Sequence, residues 1–244
     1  MSVPGAGIAA RANPVTKLAV GLVVAAAMVL SLDVVTAGTA LALEVVALPW
    51  CGLGPARLAR RTRLLLVSAL AAGVGTALFA AASGPATGVA VAARILAVAL
   101  PGVVLLATTD PTDLADALAQ LLHLPQRFVL GSLAALRLLG VLREEWEALG
   151  LARRARGLGD DGPLGRLRDH AGRVFALFVV AVRRATILAT AMESRGFGVS
   201  RRRTWARPSR LHRRDAVVGL YGVLIAVAAT GAGIAAGTWH LVLA

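Results

Sequence analysis

The stretch ATGVAVAARILAVALPGVVLLA, residues 86–107, is 22 residues long and carries a single charge, Arg94. As a helix it is about 33 Å long, enough to cross a hydrocarbon core of about 30 Å. Pro101 inside it predicts a kink. Four other runs repeat the pattern: Val15 to Leu32, Val34 to Leu48, Leu64 to Ala82 and Ala216 to about Trp239. Pro14 fits the start of the first helix, with Asn13 as its N-cap. Asp33 separates the first two runs and Ser83-Gly84-Pro85 makes an uncharged turn before the fourth.

Composition agrees. The 244 residues are 57% hydrophobic and 4% aromatic, with mean hydropathy +0.74. Ala, Val, Leu and Gly dominate, as in membrane helices that pack through small residues. Met1 to Asn13 lacks the charge-then-apolar order of a cleaved signal, so the first run is expected to be a retained span. The net charge of +13 coexists with long apolar runs, so its sign is read first as membrane orientation. Apart from Arg94, every Lys and Arg lies before the first run or, as Lys17, at its very start, between the second and third, or between the fourth and last. The excess of positive charge on the cytoplasmic side then predicts a cytoplasmic N-terminus, five spans and an outside C-terminus.

Residues 108–199 have a different character. Asp110-Pro111 reads as an N-cap followed by a first-turn proline, and Leu114, Ala117, Leu118, Leu121 and Leu122 follow at amphipathic spacing. A second helix is expected from Pro125 to about Arg156 and a third from about Leu164 to Arg195. The third has a clean apolar run of nine residues, Val174 to Val182, too short to span. The expected architecture is therefore all-α: a four-span region 1–107, cytosolic helices 108–199, a basic linker 200–214 and a final span 215–244.

Several chemistries have no residues to carry them. Lys17 is the only lysine and follows no glycine-rich loop, so a phosphate-binding loop of the G-x-x-x-x-G-K-[ST] kind is excluded. Neither a G-x-S-x-G elbow nor an H-E-x-x-H pair occurs. One cysteine, Cys51, and four scattered histidines offer no metal-ligand spacing. No catalytic, cofactor or metal residue is expected, and any energy must come from a partner.

Two stretches pair charge, position and repetition: Leu151-Ala152-Arg153-Arg154-Ala155-Arg156-Gly157 and Ala191-Met192-Glu193-Ser194-Arg195-Gly196-Phe197-Gly198. Each closes a long helix with a small residue, an arginine and a glycine. The structural reading is a left-handed C-terminal glycine, with arginine complementing the helix dipole by about 0.3 to 1 kcal/mol. The functional reading takes both together. Ala155-Arg156-Gly157 and Ser194-Arg195-Gly196 are two like tips whose guanidinium forks suit carboxylates or clustered carbonyls on a partner with two like pockets. Arg201, Arg202 and Arg203, with Arg207 and Arg210, are assigned to anionic lipid headgroups rather than nucleic acid, because the run adjoins a span. Glu44 and Arg94 are charges inside spans, where a structural role is weighed against a transport path. Trp146 is assigned to packing, and Gly233-x-x-x-Gly237 to close helix approach.

These blocks, with Asn13-Pro14-x-Thr16-Lys17, Thr108-Thr109-Asp110-Pro111-x-Asp113-Leu114, Arg203-Thr204 and Asp215, resemble the T component of energy-coupling factor (ECF) transporters, the CbiQ/EcfT-like family. The resemblance implies an all-helical cell-membrane protein whose two tips dock into a pair of ABC-type ATPase subunits on the cytoplasmic side. It implies a second partner, a small membrane-embedded S component that binds a vitamin or transition-metal ion. ATP would sit on the ATPases and not on this chain. Two other readings stay open from the residues alone: a self-contained permease or channel, and a membrane scaffold of a non-ATPase complex.

Overall fold

The computed structural model describes residues 7, 9–30, 33–52, 55–79, 85–157, 162–197, 205 and 207–238. Among them every regular element is helical: α1 Pro14–Leu30, α2 Val34–Ala47, α3 Pro55–Phe79, α4 Pro85–Thr108, α5 Pro111–Leu121, α6 Gln126–Ala155, α7 Gly162–Ser194 and α8 Arg213–Ala235, with a 3₁₀ turn at Leu48–Cys51 after α2. The chain forms two units, Met1–Leu121 with Pro208–Ala244, and Leu122–Arg207.

In the first unit α1, α2, α4 and α8 pack on one another, α3 pairs with α4, and α5 lies against α1. The core is small: Val24, Ala27 and Met28 of α1, Ala37 and Ala40 of α2, Ala97 of α4, and Ile225 and Ala229 of α8. Most large aliphatic side chains, among them Leu22, Leu64, Leu70 and Leu220, point outward. A water-soluble protein of this length buries such residues; here the outward face is the one that lipid covers. Helices approach through small residues instead. A Cβ placed on Gly73 of α3 would stand 2.6 Å from the carbonyl oxygen of Gly88 on α4, so the two backbones touch as in other small-residue membrane interfaces. Gly233 has the same role on α8, where a Cβ would meet Thr36 and the Asp33 carboxylate of α2. Gly237 closes α8 and its N–H reaches the Ile234 carbonyl at 3.0 Å.

Among the described residues, five helical stretches are long and apolar enough to cross a bilayer: Val34–Cys51, Ala59–Phe79, Pro85–Thr108, Leu164–Ser194 and Arg213–Ala235. The protein is thus a multi-pass membrane protein. The membership of this set departs from the expectation in two places. The α1 helix, with 17 residues, is shorter than the other candidates. The α7 helix qualifies because it runs unbroken through Arg183-Arg184, so apolar residues on both sides of that pair count toward its length. One further difference is local. The basic segment before the third span is helical from Pro55 onward, since arginine is a good helix former and proline suits a first turn. The α4 helix continues through Pro101. The turn residues Ser83 and Gly84 and the linker arginines Arg201, Arg202 and Arg203 lie outside the described residues.

Replacing Gly88 by leucine should force α3 and α4 apart and cost about 1 to 3 kcal/mol. Gly75→Ala, where a Cβ meets nothing within 4 Å, should be neutral. Thermal denaturation in detergent, read by loss of monodisperse protein, distinguishes the two.

Candidate functional site

Both arginine tips are built the same way. In the second unit α6 ends at Ala155 with Arg156 as its cap residue, whose N–H reaches the Arg153 carbonyl at 3.1 Å. Gly157 follows at φ +71°, and its N–H donates to Arg154 O at 2.9 Å. At the end of α7, Gly196 adopts φ +79° and donates to Glu193 O at 2.9 Å, while the Phe197 N–H closes back to Met192 O at 3.0 Å. Both turns place glycine in the left-handed region that side chains avoid. The chain therefore turns away sharply and leaves the arginine at the helix end. Ala155, Arg156, Gly157, Ser194 and Arg195 are exposed, and Gly196 is half-buried. The Ser194 hydroxyl donates to Ala191 O at 3.0 Å, so it serves its own helix. With 33 residues, α7 is about 50 Å long, and the two tips stand far apart.

Several other charges of this helical pair are engaged inside it. Asp169 of α7 is 6% exposed. It accepts from Arg153 of α6 at 2.9 Å and pairs with Arg173 one turn on. The Arg173 guanidinium also lies over the Trp146 ring, 5.9 Å from its centroid, and His170 packs against the same ring. Trp146 is thus a packing residue. Glycines make room for these arginines: Gly150 faces Arg173 and Gly172 faces Arg153. Arg184 pairs with Glu145. In contrast, no hydrogen bond or ion pair among the described residues engages the side chain of Arg156 or Arg195. Arg207 and Arg210, which belong to the basic linker, are exposed.

The remaining motif residues converge in the first unit. Lys17 is 7% exposed. Its ammonium donates to Ala10 O at 2.9 Å, Thr108 Oγ1 at 2.9 Å, Thr108 O at 3.3 Å and Thr109 Oγ1 at 3.2 Å. Asn13 caps α1, its Oδ1 accepting from Val15 N at 3.0 Å. Its own N–H donates to Asp215 Oδ1 at 2.6 Å, and its side-chain amide to Ser209 Oγ at 2.9 Å. The other Asp215 oxygen accepts from His212 N at 2.6 Å and so caps α8. Asp110 Oδ1 accepts from Thr112 N at 2.7 Å at the start of α5. Gln120, near the end of α5, accepts from Ser209 N at 2.7 Å. Sequence reading named Asn13, Lys17, Thr108, Thr109 and Asp215 separately and missed that they form one knot. Asp33, read as an interruption, caps α2 by accepting from Thr36 N at 3.0 Å and also binds Thr238 Oγ1 at 3.1 Å.

The family model described as CbiQ, cobalt transport protein, matches residues 6–205. The chain belongs to the CbiQ family. The matched range holds both tips and, from the polar knot, Asn13, Lys17 and Thr108 to Asp110; Ser209 and Asp215 lie just beyond it. Proteins named energy-coupling factor transporter transmembrane protein EcfT are similar to it. The one from Exiguobacterium sibiricum is 38% identical over 129 residues, 49% of this chain and 48% of its own length. The one from Limosilactobacillus fermentum is 32% identical over 146 residues, 55% of this chain and 54% of its own. The one from Staphylococcus aureus is 28% identical over 144 residues, 55% of this chain and 54% of its own. The chain spans about half the length of these curated relatives.

Lys17→Met should leave the Thr108 and Ala10 carbonyls without their charged donor and lower stability by about 2 to 3 kcal/mol. Thr109→Ala, which removes one of the longer contacts, should cost about 1 kcal/mol or less. Melting temperatures of the purified variants in one detergent check the ranking.

Proposed function

We propose that this CbiQ-family chain is the coupling subunit of an ECF-type importer, and that Arg156 and Arg195 dock into two ABC-type ATPase subunits. The observation that carries this is the contrast within one helical pair. Arg153, Arg173 and Arg184 are paired internally, whereas Arg156 and Arg195 end their helices exposed and unengaged, each set off by a left-handed glycine. Two like cationic ends suit a partner that is itself a pair of like subunits. The ATPases supply the energy and bind the nucleotide, since this chain holds no phosphate-binding loop. The names of the EcfT relatives support the same transporter type.

The α7 helix also exposes Phe175, Phe178, Val179, Val182, Ile187 and Leu188. Although long enough to span, it carries Arg183 exposed near the middle of its apolar length. A lone arginine at the bilayer centre costs about 2.5 to 3.5 kcal/mol on insertion scales, which favours a partner-facing, cytoplasmic position. In this reading the apolar face receives a small S component that carries a vitamin or transition-metal ion, and ATP-driven motion of the two tips is relayed to it. The distribution of arginines supports a cytoplasmic N-terminus and cytoplasmic coupling helices. Arg207 and Arg210, with the neighbouring linker arginines, would meet anionic headgroups.

Arg156→Glu combined with Arg195→Glu should reduce co-purification of the ATPase subunits by about tenfold or more and abolish uptake, while the chain remains in the membrane fraction. Undiminished ATPase association of the double variant contradicts the proposal.

A further inference from the structure

A cavity of about 460 Å³ lies inside the first unit, bounded by α1, α2, the 3₁₀ turn, α4 and α8. Its walls are mostly apolar, for example Val20, Val104 and Leu224, and two charged residues, Glu44 and Lys17, also line it. The Glu44 side chain is 6% exposed, and neither carboxylate oxygen has a hydrogen-bond partner. The candidates that could have served it are engaged elsewhere or do not reach it. Lys17 lines the same cavity but gives its ammonium to Ala10, Thr108 and Thr109. The Tyr221 hydroxyl donates to Leu43 O at 2.8 Å. No ion pair joins Glu44 to Arg94 among the described residues. Glu44 also sits in the last turn of α2, at the negative end of the helix dipole, where a carboxylate is disfavoured and a cation is welcome.

We propose that this cavity binds a monocationic amphiphile, a single ammonium group on an apolar body, with Glu44 as its counter-ion. Its volume lies in the range of small-molecule sites, and an apolar chamber with one fixed polar group is the usual design of such sites. When ionised, Glu44 accepts and does not donate, so a ligand that brings donors and positive charge favours that form and is selected by it. Two aromatic rings stand beside it. Trp50 and Tyr221 both line the cavity and meet edge to face with centroids 5.7 Å apart, and ring faces attract ammonium groups. The exposed members of the wall, Trp50, Val217, Leu220 and Leu224, mark the entrance between the 3₁₀ turn and α8. The site is independent of the ATPase-docking reading, and its test involves neither tip.

Cys51 is the sole cysteine and lines the same cavity, which makes it a reporter. In the full chain held in lipid nanodiscs at neutral pH, decylammonium should slow alkylation of Cys51 by a small maleimide. Neutral decanol and anionic decyl sulfate should not. In Glu44→Gln the decylammonium concentration giving half-protection should rise by about tenfold or more. If Cys51 resists alkylation, Trp50 fluorescence is read instead, in a chain whose other tryptophans are changed to phenylalanine, with the same three probes and the same variant. Equal protection by decanol, or an unchanged decylammonium response in Glu44→Gln, overturns the proposal and leaves the cavity an apolar void with a neutral wall residue.

Discussion

The first unit depends on one buried ammonium. Taking a lysine head group out of water is costly unless its donors are satisfied, and Lys17 of α1 is satisfied by two other segments of the chain. The residues before α1 supply the Ala10 carbonyl, and the end of α4 supplies Thr108 and Thr109. Beside it, Asp215 at the start of α8 takes the Asn13 N–H. The knot therefore fixes the ends of α1, α4, α5 and α8 against one another. It also gathers the two chain segments that lead to the second unit. Gln120 lies just before α6 and Ser209 follows the linker after α7, and the two are hydrogen-bonded to each other.

The second unit uses charge differently. Asp169 holds Arg153 and Arg173, and Glu145 holds Arg184. Internal pairing keeps α6 and α7 together although neither helix has a substantial buried apolar core. Arg156 and Arg195, at the two helix ends, and the apolar face of α7 take no part in that pairing. A helical pair that met all its own demands would have nothing to offer a partner.

The sequence made some of this legible and hid the rest for a physical reason. Apolar length gave the membrane character, Asp110-Pro111 gave the start of α5, and the two Arg-Gly pairs gave the helix ends with their left-handed glycines. These are local signals. Lys17 looked like a flanking charge because its threonine partners are 91 and 92 positions away, and Asp215 meets Asn13 across 202. Gly73 and Gly88 gave no sign of touching, since a glycine contact leaves no hydrophobic period. For α7, one clean run understates the apolar length, since a helix adds up its apolar residues on both sides of an arginine pair. Glu44 could be flagged as a charge within a span, but only the packed structure shows that no side chain among the described residues answers it.

The most direct test of the account is photocrosslinking at the tips. A benzophenone amino acid placed at Ala155, and separately at Ser194, in the native membrane reports what each helix end touches. The account predicts that both positions capture the same kind of partner, a soluble nucleotide-binding ATPase subunit, and that capture changes when ATP is added. Crosslinks to lipid alone, or to unrelated proteins at the two positions, would contradict it.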